Sequence, residues 1–215
     1  MNKTKLTGAT DTEIKSLLRQ YECPTPFHEV RTRFLGTIAS PGLAVSPLGA
    51  IKELWGTELP EFESEEAVNE LFNGLIAGLW NRLSAHQSGL NPFKLLRFEV
   101  APTRDSIKSF ALHRQQELDG FVIGLFGPNE KVDLPESVQA ALGALADTRS
   151  MLVAIITLLG DPSKPADSTS LQEFLRNLHK MTIIAENAIN KINLASQRAR
   201  RQSIELMPAT RPTLH

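Results

Sequence analysis

Apolar residues return at three- and four-residue intervals along most of the chain, the spacing that places them on one side of an α-helix. The strongest run holds Val68, Leu71, Phe72, Leu75, Ile76, Leu79, Trp80 and Leu83, a stripe wide enough to need burial against other helices. It predicts a helix over residues 64–86, with Ser64 as N-cap and Glu65 and Glu66 complementing the positive helix end. Upstream, Thr10 and Glu13 form a capping-box pattern ahead of Ile14, Leu17, Leu18 and Tyr21, and Cys23-Pro24-Thr25-Pro26 stops that helix. A second helix from Pro26 turns Phe27, Val30, Phe34, Leu35 and Ile38 inward and ends at Ser40-Pro41-Gly42. A short third helix opens at Ser46 with Pro47 in the favoured first position and ends at Gly56.

The second half of the chain reads the same way. A long helix from Thr103 or Arg104 carries Ile107, Phe110, Ala111, Leu118, Phe121, Val122 and Leu125 inward until Gly127-Pro128 ends it. Another follows Pro135 and runs through Val138, Ala141, Leu142 and Leu145 to the apolar run Met151 to Leu159, stopping at Gly160-Asp161-Pro162. Val153, Ile155 and Ile156 favour a strand on propensity, but the Ala-rich sequence ahead of them favours a buried helix. Residues 161–169 read as a linker into a capping box at Ser170 and Glu173. The last helix, roughly thirty residues long by its periodicity, has a stripe of Leu171, Phe174, Leu175, Leu178, Met181, Ile184, Ala188, Ile189, Ile192 and Ala195 and dissolves at Arg198 to Arg201. Residues 88–102 read as irregular, with Lys94 to Val100 able to pair briefly as an extended segment. Gly74 and Gly78 each cost ~1 kcal/mol against Ala within their helix, so a tight helix crossing is expected there.

The pattern predicts an all-α protein, a compact bundle of about six or seven helices. Residues 1–160 form the main helical domain, 161–200 a linker and long C-terminal helix packed on the same core, and 201–215 a mobile tail.

Composition changes this picture little. The 215 residues are 41% apolar and 22% charged, ordinary for a folded chain, and 23 basic against 24 acidic side chains give a net charge of -1. No overall charge bias recruits nucleic acid or acidic lipid. The one cysteine, Cys23, allows no intrachain disulfide and no Cys-rich zinc site. The polar start, Met1 to Thr12, lacks a signal-peptide core, and Met151 to Leu159 is about half the run a bilayer-spanning helix needs. A cytoplasmic protein with no export signal and no membrane anchor is expected.

Candidate chemistry is sparse. His28-Glu29 begins like a zinc-hydrolase helix, but Thr32 stands where the second imidazole is required. His28, His86, His113, His179 and His215 lack ligand spacing, although His28, His113 and His179 lie on helices that could bring them together. Glu53, Glu58, Glu61, Glu63, Glu65, Glu66 and Glu70 make the densest acidic stretch, a candidate cation or basic-partner surface that also reads as a solvated loop and helix start. Gly120, Gly124 and Gly127 lack the flanking residues of a phosphate loop or dinucleotide fingerprint and read as packing and capping glycines. No nucleophile turn is present, and Cys23 has no identifiable base. Arg198, Arg200 and Arg201, with Lys191 upstream and Arg211 beyond, place positive charge at the end of the last helix. They complement the helix dipole and are the candidate contact for phosphate or an acidic partner.

The stretches Phe34-Leu35-Gly36-Thr37-Ile38-Ala39-Ser40-Pro41 through Pro47, Leu54-Trp55-Gly56 and Pro60-Glu61-Phe62-Glu63-Ser64-Glu65-Glu66 resemble the YecA/YgfB-like family of uncharacterised bacterial proteins. Asp119-Gly120-Phe121-Val122-Ile123-Gly124 is similar to that family's later Gly-Phe segment, and together the matches cover residues 26–160. Arg33 stands where the family has Gly, Glu117 where it often has Trp, and the Cys-rich zinc tail of some relatives has no counterpart after Arg198. The resemblance implies an all-helical bacterial cytosolic domain acting through protein contacts. The reading that follows is a non-enzymatic interaction or regulatory module with no cofactor, metal or catalytic set. A protein partner is expected, and a homodimer fits the long apolar stripes. The alternatives are a nucleic-acid-linked regulator using the basic helix end, and a metal-dependent enzyme using the acidic stretch and scattered histidines.

Overall fold

The computed structural model describes residues 8–41, 46–56, 58–127, 134–164 and 167–205. Capping chemistry sets most helix starts. Thr10 and Glu13 close a capping box at α1 (Asp11–Gln20), Pro26 precedes α2 (Phe27–Ala39), and the Ser46 hydroxyl accepts from Gly49 N at α3 (Pro47–Glu53). Ser64 caps α4 (Glu65–Asn73), which passes without a break through a π-helical stretch (Gly74–Trp80) into α5 (Asn81–Ser84) and a 3-10 turn (Ala85–Ser88). Three long helices complete the chain: α6 (Arg104–Phe126), α7 (Glu136–Gly160) and α8 (Ser168–Glu205). The described residues contain helices and no strands, an all-α bundle as the periodicity predicts.

The axis of the fold is the α2/α6 pair, whose contact is the most extensive between any two helices. Small residues permit it. A Cβ on Gly120 of α6 would sit 2.8 Å from the Glu29 carbonyl oxygen and 2.8 Å from Thr32 Oγ1 of α2. Gly36 faces the Phe121 and Leu125 backbone, and Gly124 faces the Arg33 backbone, at separations that leave no room for a side chain. Gly127 ends α6 with a φ of +58. These glycines thus pack and cap, as their sequence context predicts.

The neighbour expected at Gly74 and Gly78 is the N-terminal segment. A Cβ on Gly78 would lie 2.9 Å from Ala9 N, and one on Gly74 would lie 2.7 Å from Leu17 Cδ1. Ala9 and Leu17 belong to the entry and body of α1, so the close approach is made partly by a short non-helical lead rather than by two crossing long helices.

One hydrophobic cluster runs from Ile14 to Ile192, with Phe34, Leu35, Phe93, Phe121 and Ile107 among its fully buried members. Helix α8 supplies Leu178, Ala185, Ala188, Ile189 and Ile192 to that same core. Three expectations need correction. The start of α8 is fixed by Asp167, whose Oδ1 accepts from Ser170 N at 2.7 Å, so the helix begins before the Ser170 capping box. Helix α8 spans 38 residues and continues past Arg198 to Arg201. Ile184, assigned to the inward stripe, is 48% exposed. The tail expected over 201–215 falls outside the described residues from position 206 onward.

Candidate functional site

The densest polar arrangement is where residues 93–97 run between α6 and α8. This segment forms no strand; its backbone bonds to side chains instead. Asn190 takes Phe93 N on Oδ1 at 2.8 Å and returns Nδ2 to Phe93 O at 3.0 Å. Leu95 N donates to Glu186 Oε1 at 3.1 Å, and Leu96 N donates to Glu117 Oε1 at 3.0 Å. Arg114 donates to Leu96 O and to the Glu117 carboxylate, and its Nε donates to Thr182 Oγ1 at 3.1 Å. Lys94 and Arg97 both reach Glu186 from the solvent side, at 3.0 and 3.1 Å.

Burial makes this cluster expensive to disturb. Glu117 is fully buried and Arg114 nearly so, and desolvation pushes the Glu117 carboxyl above its ordinary value while the nearby guanidinium pulls it back. The same burial pushes Arg114 below its ordinary value, opposed by the Glu117 charge. The guanidinium also lies over Phe110, 4.7 Å from the ring centroid, and 5.5 Å from that of Phe98. All these groups are engaged in holding an irregular backbone, a structural use of charge. Sequence reading missed the cluster because Arg114, Glu117 and Glu186 sit at helix positions that read as surface.

Two of the three helical histidines converge. The His28 and His113 rings are 4.7 Å apart, and His28 Nε2 donates to Gln116 Oε1 at 2.8 Å. His113 Nδ1 donates to Ser109 O at 2.7 Å and its ring meets Phe98 at 5.0 Å. His179 packs instead on Phe110, at 5.8 Å. Burial lowers the His28 pKa most, the Gln116 bond raises it, and His113, Arg114 and Lys15 lower it further. A ring pair surrounded by cationic neighbours is a poor cation ligand. His86 Nδ1 donates to Asn91 O at 2.7 Å, and His215 lies outside the described residues. Among the described residues, no group of three or more His, Cys, Asp or Glu side chains is arranged to hold a metal ion.

The acidic stretch is solvated. Glu58, Glu61, Glu63, Glu65, Glu66 and Glu70 are exposed, and Glu53 pairs with Arg33 at 3.6 Å. Cys23 is partly buried, its thiol facing Leu54 O at 3.9 Å, and desolvation raises its pKa, the opposite of activation.

The arginine trio splits. Arg200 turns inward and donates to Ile38 O at 2.9 Å and to Ser40 O, closing the C-terminal carbonyls of α2. Gln87 Nε2 donates to Ile38 O as well, at 3.0 Å. Arg198 and Arg201 are exposed.

The remaining large feature is the outer side of α7. The stretch Val138–Gly160 has 23 residues, and its most apolar 18-residue window has a mean hydropathy of 1.6 yet is only 28% buried. By length and composition this helix could cross a membrane, so the apolar run from Met151 alone understates it: the Ala-rich turns before that run extend the apolar length. Its inner side packs on α6 and α8 through Val138, Ala141, Leu145, Leu152, Ile155 and Leu159. Its outer side exposes Gly143, Ala146, Ser150, Met151, Val153 and Ala154.

No family model, curated protein or solved structure matches the chain.

Proposed function

We propose that this protein is a non-enzymatic interaction module working through protein contacts, with the outer side of α7 as its contact surface. The observation that carries this is the mismatch between α7's apolar character and its burial: an 18-residue window at a mean hydropathy of 1.6, with 28% of it covered. Met151 is 50% exposed and Val153 36%, on a face where contiguous apolar area marks association. The engagement of Arg114, Glu117 and Glu186 in backbone support agrees with this reading, because those charges have fixed structural partners. The YecA/YgfB-like resemblance adds support for a bacterial cytoplasmic setting and for action through protein contacts.

A nucleic-acid-linked role is the second reading, and it rests on Arg198 and Arg201, which are exposed at the end of α8 while Arg200 is occupied. Capture of partners from a lysate separates the two, with and without nuclease, using the full chain, Gly143→Lys and the Arg198→Glu/Arg201→Glu double variant. A nuclease-resistant partner lost on Gly143→Lys supports the α7 surface. A partner lost on nuclease treatment and on arginine reversal replaces that reading with the second. Flotation with anionic vesicles that carries wild type but not Gly143→Lys would instead make α7 a lipid-facing helix and overturn the protein-contact reading.

A further inference from the structure

Two fully buried polar side chains in the last third of α8 have no hydrogen-bond partner among the described residues. Asn193 lacks one at both Nδ2 and Oδ1, and Ser196 lacks one at Oγ. They sit at the middle of the inner face of the helix, where Ile189, Asn193, Ser196 and Arg200 follow one another at intervals of four, three and four. The other buried polar residues of α8 are engaged. Thr182 Oγ1 donates to Leu178 O at 2.8 Å and accepts from Arg114, and Glu186 accepts from Leu95 N. Ser84 and Ser150 return their hydroxyls to the carbonyls four residues back, at 3.0 Å each, a bond that helical serines commonly make. Ser196 does not make it. A primary amide sealed from solvent with both ends unpaired bears the desolvation cost of each end, so Asn193 calls for a ligand that both donates and accepts.

The three atoms narrow that ligand to one chemistry. An anion would satisfy Asn193 Nδ2 and the Ser196 hydroxyl but face the Oδ1 lone pairs, and a cation would satisfy Oδ1 but face the amide protons. A neutral molecule with both functions is required, and complete burial of both residues leaves no opening for one larger than water. Spacing agrees with water. Positions three apart on a helix have Cβ atoms about 5–6 Å apart, and a water bonded at about 2.8 Å to a group on either side spans that separation. We infer that Asn193 and Ser196 form an internal water site on the inner face of α8. One water accepts from Asn193 Nδ2 and donates to Ser196 Oγ, and a second donates to Asn193 Oδ1. The site serves α8 as Asn190 serves Phe93: it satisfies polar groups that the helices packed on them leave without partners. It stands independently of the role proposed for α7.

Water-to-protein cross-relaxation NMR on the full chain, labelled with 15N-asparagine, tests the inference. The Asn193 side-chain amide is identified as the signal missing from Asn193→Leu. Its protons should show a cross-peak to water with the sign of a bound molecule. Cross-peaks to protein protons alone would mean a dry site and overturn the inference, and a cross-peak to a co-purified organic molecule would overturn water as the ligand. Oxygen-17 relaxation dispersion supplies a count. The Asn193→Leu/Ser196→Ala variant should lose one or two long-lived waters per chain relative to wild type, and an unchanged amplitude in a folded variant also overturns the inference. Should the double variant fail to fold, Ser196→Ala alone decides, because removal of one partner should weaken the Asn193–water cross-peak while the rest of the amide spectrum stays in place. An undiminished cross-peak in that variant would remove Ser196 from the site and overturn the bridge.

Discussion

Asn190 grips Phe93 by both of its backbone groups, accepting from the amide nitrogen at 2.8 Å and donating to the carbonyl oxygen at 3.0 Å. A side-chain amide has the donor and acceptor geometry of another peptide group, so one residue does here what a neighbouring strand would do elsewhere. The Phe93 ring is fully buried, and Asn190 holds the backbone that carries it. Replacing Asn190 with Leu leaves both Phe93 groups without this partner. The expected loss is about 2–4 kcal/mol, read from urea unfolding midpoints. Asn190→Asp keeps the acceptor for Phe93 N but sets a carboxylate oxygen against the carbonyl oxygens of Phe93 and Glu186, which now accept from Asn190 Nδ2, so it should be no milder.

The buried Arg114 and Glu117 pair predicts strong non-additivity. Either Glu117→Leu or Arg114→Met strands the other charge in the core, where the expected cost is about 3–5 kcal/mol. The double variant removes both charges. It still leaves Leu96 N and Leu96 O unbound, so it should be destabilised, but by clearly less than the sum of the singles. A double-mutant cycle measured by chemical denaturation checks this, and simple additivity would show that the two side chains act independently.

Glycine substitutions should have opposite signs at different sites. Gly36→Ala and Gly124→Ala drive a methyl into the backbone of the facing helix, so α2 and α6 must separate. A cost of about 1–3 kcal/mol or more is expected from such overpacking. Gly143→Ala meets open space and should stabilise the monomer by about 0.5–1 kcal/mol through helix propensity alone. Thermal melts of the three variants at one protein concentration decide it.

The helices and their caps were legible because they depend on local chemistry. Thr10 with Glu13, Ser46 with Pro47, and Ser64 all cap as their spacing indicates. The packing use of Gly120 and Gly124 was legible by elimination, since the motif residues for phosphate binding are missing. The segment 93–97 was not legible. Its order comes from Glu117, Glu186 and Asn190, the last two of which lie some ninety positions away, and no local pattern encodes such partners. The same limit hid the inward turn of Arg200, whose carbonyl partners end a helix far upstream. Ile184 shows the converse, because a periodic stripe on a very long helix continues beyond the face its neighbours cover. The meeting of His28 and His113 required the α2/α6 crossing, which the glycines permit but do not specify.

That crossing yields a pH prediction. His28 is nearly buried, and its pKa is held below the ordinary histidine value chiefly by desolvation, with His113, Arg114 and Lys15 adding to the depression. Between the lowered folded-state value and about 6.5 in the unfolded chain, the unfolded state binds more protons. Stability therefore rises with pH through that window and is lost as pH falls below about 6.5. The groups facing His28 are Gln116, His113 and Arg114 from α6 and Lys15 from α1, none of them a carboxylate that could balance the new charge. Charging the ring also sets it against its neighbour 4.7 Å away, so protonation weakens the α2/α6 contact itself. Urea midpoints measured from pH 7.5 to 5.0 should fall on acidification in the wild type. His28→Gln removes the titrating group and should flatten the profile over that range, whatever it does to stability at pH 7.5. An unchanged slope in the variant would place the acid sensitivity at another group.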